Sequence, residues 1–464
     1  MEVGSRVVSA TVYLVLARLL APDDFGIMAI ALIVINFSHI FLDAGLEKAF
    51  IQTASPPEQA ALVIFWTNVV MGLVIFVLLF LAAPRLAAFF HSPTSVTVIR
   101  VLGLQVVIGS LASVQQAQLV RKLGFRELFW VKMATAIVSG GLSIPLALFG
   151  YGVWALVAGS LSGSLLNLIL LWRQSSWRPQ FSFDWPLART LYGFGFWVLL
   201  ESLGAWFFSW GDNLLVGKFL GLHALGIYSV GWNIVNLFFG LVLNPFYPVL
   251  YPTFSRLREN LPLLTETFHR ASHVVMALAL PLGTLLMLTG PALASVFFGD
   301  KWQGLGLILA LIGVMEGLSW LVGINPELYR AMGRPDLNTK LMLATILYYL
   351  PAYLLAAPWG LVAFTCTRLG LELTIIPLHI CLGVRLLKGS PLYLWRRGRP
   401  VILATFAMAG VLIILKSLFM VNQTLIWLTI LMGVGGLVYG VVLWRLDRPF
   451  VSEMTSLIKR AALT

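Results

Sequence analysis

Runs of about twenty apolar residues, each long enough for a helix to cross the hydrocarbon core of a bilayer, recur along the whole of this chain, separated by short clusters of charge, proline or glycine. In hydrocarbon every backbone polar group must be satisfied internally, so such runs are either helices or strands of a closed barrel. The period-of-two alternation of a barrel strand is missing. The runs place helices at 4–20, 25–45, 60–82, 95–118, 127–149, 151–172, 190–216, 223–250, 272–297, 304–328, 338–357, 359–384, 401–420 and 424–444. Hydrophobic residues make up 59% of the chain and charged ones 11%, where a soluble domain carries about 25% charged. A cytosolic enzyme is excluded. The fold class is an all-α polytopic membrane protein with about fourteen transmembrane helices. The first is short: VVSATVYLVLARLL offers about 14 residues before Pro22, which reads as a shortened helix or as a start codon set too far downstream.

Charge gives the orientation. The net charge of +12 would suggest nucleic acid in a soluble protein, but here it follows the loops. Of 31 basic residues, 24 lie at the termini or in loops after even-numbered helices, among them Lys48, Arg121, Lys122, Arg173, Arg256, Arg334, Arg396 and Arg397. The loops near 150, 358 and 422 carry none. The positive-inside rule then puts both termini in the cytoplasm, and no nucleic-acid partner is implied.

The connection Arg173–Arg189 falls after six helices, and the segment 385–399 sets the last two apart after six more. The domains are 1–180, a six-helix N-terminal lobe; 181–388, a six-helix C-terminal lobe; and 389–464, two additional helices with a cytoplasmic tail. Two comparable bundles with a cavity between them are a transporter plan. No long extramembrane stretch offers room for a folded catalytic domain.

Charges deep in a membrane are costly enough to mark function by default. Glu201 and Asp212, in the seventh helix, stand eleven residues apart and so share a face with Trp197 and Phe208. Glu316 and Glu327 repeat that spacing in the tenth. Arg368 and Glu372 form an i,i+4 pair halfway through the twelfth, able to compensate each other. Asn233 and Asn244 share one face of the eighth. Cavity lining and internal pairing both explain these residues. Lys218 and Lys416 lie near helix ends, where snorkelling suffices, and Gln115, Gln116 and Gln118 read as interfacial. Cys366 and Cys381 fall on one helix roughly 22 Å apart, as two buried thiols without a disulfide. The sequon Asn422-Gln-Thr424 and the scattered histidines carry little, and no metal or other cofactor is implied.

Two stretches resemble a known family: LARLLAPDDFGIMAIALIVINFSHIFLDAGLEKAFIQ (16–52) and GDNLLVGKFLGLHALGIYSV (211–230). In the second, Asp212, Gly217, Gly221, Gly226 and Tyr228 fit a recurrent pattern, and YRAMGRPD (329–336) fits as well. These stretches are similar to the polysaccharide-biosynthesis branch of the multidrug/oligosaccharidyl-lipid/polysaccharide exporter superfamily. The resemblance implies two six-helix lobes around a cavity, alternating access, and flipping of undecaprenyl-pyrophosphate-linked oligosaccharide across the bacterial inner membrane for exopolysaccharide or lipopolysaccharide synthesis. It also implies cationic cavity residues for the pyrophosphate, for which Arg18 and Arg368 are the matching candidates, while the pattern around Asp212 is a family motif of structural character.

A lipid-linked glycan has a head that cannot cross hydrocarbon and a tail that need not leave it. A polar cleft open to the bilayer lowers the desolvation barrier without covalent chemistry. The partners are then the lipid-linked oligosaccharide, the phospholipid bilayer and the polymerase and assembly proteins of the glycan. Direction comes from a proton or sodium gradient or from mass action. Three competing readings stand beside this one: a cation-coupled drug exporter using Glu201 and Glu316, a membrane enzyme of glycan assembly, and a non-transporting scaffold.

Overall fold

The computed structural model describes residues 2–43, 57–182, 184–389, 391–419 and 424–463. Lys48, the end of the 16–52 stretch and Asn422-Gln423 of the sequon lie outside the described residues. Among the described residues every regular element is helical: α1 (Glu2–Leu19), α2 (Pro22–Asp43), α3 (Pro57–Phe89), α4 (Ser95–Leu102), α5 (Leu104–Arg121), α6 (Phe125–Leu148), α7 (Val153–Gln174) and α8 (Trp185–Leu243). The order continues with α9 (Tyr247–Arg256), α10 (Leu261–Phe297), α11 (Leu305–Ser319), α12 (Asn325–Ala331), α13 (Asp336–Ala356), α14 (Leu361–Leu386), α15 (Pro391–Leu418), α16 (Leu425–Leu446) and α17 (Arg448–Leu463). Eleven described stretches are long and apolar enough to cross a membrane, and one of them, Leu199–Arg256, runs for 58 residues. The chain is an all-α polytopic membrane protein.

It divides into two compact units, Met1–Val230 and Gly231–Thr464. In the first, α1 packs on α6, α3 on α5, and α6 along α7. Ala60, Ala61, Ile64 and Phe65 of α3 bury against Val114 and Ala117 of α5, and Trp66, Trp172 and Trp177 close the cluster. Small residues at the seam let the helices approach, and the indoles pack against it.

The seventh and eighth helices expected from the sequence are one element, α8, broken at a single residue. Gly221 takes φ 85° and ψ −177°, a conformation that only glycine adopts without strain. The chain therefore turns without a polar loop. Around the break the two family-like stretches meet: a Cβ on Gly226 would collide with the Pro22 carbonyl, and one on Gly26 with the Leu222 carbonyl. His223 Nδ1 and Asp23 Oδ1 lie 3.0 Å apart beside this crossing.

In the second unit α10 and α11 run with their backbones nearly touching. A Cβ on Gly283 would stand 2.7 Å from the Gly313 carbonyl oxygen, and one on Gly290 2.7 Å from that of Gly306. Such small-residue seams substitute close dispersion contact for the hydrophobic drive that lipid does not supply. The α15–α16 hairpin packs on α10 through Ala277, Val401, Ala404 and Leu443. There α17 returns to the bundle and lays Phe450 flat on His273, ring centroids 4.2 Å apart.

Several local expectations are corrected. The ninth helix begins at Leu261 rather than 272, because the polar opening LPLLTETFHRASH is itself helical, capped by Asn260 accepting from Leu263 N. The tenth is interrupted: α11 stops at Ser319 and α12 starts at Asn325, so the eleven-residue phase between Glu316 and Glu327 is lost. Gln115 is fully buried, not interfacial. With its amide turned to suit, it donates to the Leu111 carbonyl and accepts from Trp172 Nε1. Cys366 and Cys381 are exposed free thiols on faces of α14 that protein does not cover. A lipid-facing position and a buried one are equally apolar, so composition does not separate them.

Candidate substrate site

The charged groups read as intramembrane candidates are not equivalent in the fold. In the first unit Asp212 is buried at 4% exposure. Its Oδ1 accepts from Asn213 N at 2.7 Å and its Oδ2 from Tyr228 Oη at 2.7 Å. Two of the pattern residues thus bond to each other across the Gly221 break. Gly217 faces Leu225 and Phe90, where a Cβ would stand 3.0 and 3.1 Å away. Glu201, on the same helix, is exposed. Arg18 is exposed in the last turn of α1, where a cation suits the helix dipole.

The second unit gathers the richer set. The Arg368 guanidinium, on α14, lies 4.1 Å from the ring centroid of Trp232 on the distal arm of α8. A cation held on an indole face keeps part of its stabilisation when water is removed. Glu372, one turn further along α14, accepts from Tyr349 Oη of α13 at 3.3 Å. Tyr348 Oη and Thr374 Oγ1 bond at 2.7 Å, and Tyr349, Tyr353 and Phe364 form a run of packed rings. Glu316, half-buried on α11, lies within Coulombic reach of Glu372. Tyr247 donates to the Gly323 carbonyl at 2.9 Å where α11 gives way to α12. Asn233 and Asn244 are exposed, Asn244 opening a 3-10 turn. The structure therefore brings Arg368, Glu372 and Glu316 into one neighbourhood of the second unit, whereas Arg18, Glu201 and Asp212 belong to the first.

Trp232 and Tyr349 were not singled out from sequence. Aromatic residues inside apolar runs are ordinary packing, and only tertiary placement puts them against Arg368 and Glu372. The two lysines do more than snorkel: Lys218 Nζ donates to the Phe89 carbonyl at 2.9 Å, and Lys416 Nζ to the Leu288 carbonyl at 2.8 Å. Each meets a main-chain acceptor of a neighbouring helix.

The fold is shared with membrane transporters of known structure. A lipid II flippase, MurJ, in an inward closed conformation superposes with a TM-score of 0.79 at 14% identity, covering 96% of this chain and 98% of that one. An inward-facing multidrug resistance MATE family transporter of the MOP superfamily gives 0.65 at 14% identity, covering 83% and 96%. What these two structures share with this chain is the helical fold. The chain belongs to the polysaccharide biosynthesis protein family, whose model matches residues 15–305. Among curated relatives it is 27% identical to the teichuronic acid biosynthesis protein TuaB of Bacillus subtilis over 75% of this chain and 70% of that protein. It is 26% identical to the succinoglycan biosynthesis transport protein ExoT of Rhizobium meliloti, over 66% of this chain and 62% of that protein. With the lipopolysaccharide biosynthesis protein WzxC of Escherichia coli the identity is 24%, over 73% and 69%.

Proposed function

We propose that this protein flips an undecaprenyl-pyrophosphate-linked oligosaccharide from the cytoplasmic to the outer leaflet of a bacterial inner membrane, by alternating access, for exopolysaccharide or lipopolysaccharide assembly. The observation that carries the reading is Arg368, a half-buried guanidinium stacked on Trp232 in mid-helix. Such a cation is costly in a membrane unless it serves a partner, and a guanidinium matches phosphate oxygens with a planar fork. The family and its relatives, named for teichuronic acid and succinoglycan, support a glycan cargo. Arg18 is the second cation of this reading. Tyr348, Tyr349 and Trp232 offer ring faces and hydroxyls to sugars.

In this reading fourteen helices cross the membrane, α8 counting as two, with both termini cytoplasmic. The grouping is 1–180, 181–388 and 389–464. No covalent step occurs, and direction is drawn from a proton or sodium gradient or from mass action. The test is deletion of the gene followed by leaflet-resolved assay of lipid-linked glycan. Accumulation on the inner leaflet, reversed by the intact gene, supports the proposal; unchanged distribution defeats it.

A second reading, cation-coupled export of small molecules, rests on Glu316 and Glu372, which outnumber Arg368 in their neighbourhood. Proton- or sodium-dependent efflux of cationic dyes from vesicles, abolished by E316Q, would favour it.

A further inference from the structure

The first unit contains a cleft of about 270 Å³ between α2, α3, α5 and α7. His39, Asn68, Ser113, Gln116 and Asn167 supply its polar wall, and Leu42, Ile64, Ala112 and Val114 the apolar remainder. Its polar groups come from four separate helices, so local sequence does not explain their convergence. Asn68 is the informative member. Its side chain is 3% exposed, its Nδ2 donates to Ser113 Oγ at 2.9 Å, and its Oδ1 has no partner among the described residues. A buried amide oxygen in that condition is unfavourable unless a donor reaches it. Among the described residues the wall has no carboxylate, lysine or arginine, and His39 is its one titratable group. That chemistry suits neither a metal ion nor a pyrophosphate. It suits a neutral molecule with many hydroxyls, because amides and a serine both donate and accept.

Depth gives the cleft a place in the cycle. In the positive-inside orientation, His39, Asn68, Ser113, Gln116 and Asn167 all fall in the cytoplasmic halves of their helices. We propose that this cleft is a saccharide subsite, binding the hydroxyls of one sugar ring of the glycan head as it enters from the cytoplasmic leaflet. The assignment deepens, and rests on, the reading of the protein as a carrier of lipid-linked glycan. Gly109 belongs to the design, since a Cβ there would stand 3.1 Å from His39 Cε1 and crowd the imidazole against the wall.

The experiment uses the full chain in detergent micelles and free sugars as probes. Saturation-transfer NMR is recorded with glucose and N-acetylglucosamine, with sodium pyrophosphate as competitor. The intact protein transfers magnetisation to the sugars, and pyrophosphate does not displace them. N68L weakens binding by about fivefold to tenfold, the loss of one or two hydrogen bonds. Q116L, at the exposed rim where folding is not at risk, weakens it measurably, and L437A, on an exposed face of α16, leaves it unchanged. No transfer from the intact protein, equal transfer from N68L and Q116L, or displacement by pyrophosphate overturns the subsite. The leaflet assay after gene deletion reads the parent proposal separately. Sugar binding without leaflet accumulation defeats the flippase reading alone, and accumulation without sugar binding defeats the cleft alone.

Discussion

Tyr228 donates a 2.7 Å hydrogen bond to Asp212 from the far side of the Gly221 break, and both side chains are buried. The bond ties together two helical arms that meet at Gly221, where φ is 85°. Y228F removes the donor and leaves the buried Asp212 carboxylate with one hydrogen bond fewer, which costs about 1–3 kcal/mol. D212N keeps an acceptor and costs less. Thermal unfolding of detergent-solubilised variants reads the order, with Y228F below D212N and both below the intact chain. Equal stability of all three would show that the arms are held by other contacts.

Gly226 and Gly410 make a controlled pair. A Cβ at 226 meets the Pro22 backbone, whereas one at 410 on α15 meets nothing within 4 Å. G226A is expected to cost at least about 3 kcal/mol, the upper end of overpacking, because two main chains must separate. G410A stays within about 1 kcal/mol and gains helix propensity. Folded yield by fluorescence size-exclusion chromatography separates the two variants.

Arg368 carries the sharpest test of the cargo. Were Arg368 and Glu372 only an internal charge pair, removing both would be close to neutral, while removing one would be costly. As a phosphate ligand, Arg368 behaves differently. R368M/E372L inserts and melts normally but does not flip lipid-linked glycan in reconstituted vesicles. R368K recovers part of the rate, since an ammonium lacks the planar fork. W232L weakens transport by removing a cation–π contact worth about 1–2 kcal/mol. Flipping by the double variant at the rate of the intact protein removes Arg368 from the site.

The orientation predicts the sidedness of reporter fusions. Fusions after residues 180 and 395 give cytoplasmic signals, and those after 150 and 422 give external ones. A cytoplasmic signal at 422 breaks the fourteen-helix topology.

Much of the helical framework is legible in the apolar runs, because hydrocarbon imposes a length and a continuity on every span. What escaped is what hydropathy does not encode. Gly221 redirects the chain through one torsion, with no polar residues to announce a loop. Leu261–Ser272 is helical although its composition is that of an interface. Of the candidate site, Arg368, Glu372 and Glu316 stood out as charges in apolar surroundings. Trp232 and Tyr349 did not, nor did Asn68 and Asn167, since a single indole, phenol or amide in a membrane helix is unremarkable until its neighbours from other helices are known. Gln115 shows the same limit in reverse, being polar near a helix end yet sealed against Trp172.

The glycine seam between α10 and α11 also bears on how the protein is made. At 15 residues, α11 is about 22 Å long, short of a core about 30 Å thick. It is a poor candidate for leaving the insertion machinery as an independent span. Its neighbour α10 is 37 residues long and emerges first from the ribosome. Docking Gly306 and Gly313 onto Gly290 and Gly283 is expected to make the hairpin, rather than the single helix, the unit of insertion. A bulky residue in the seam therefore acts during biogenesis, as failed integration and quality-control degradation of the nascent chain.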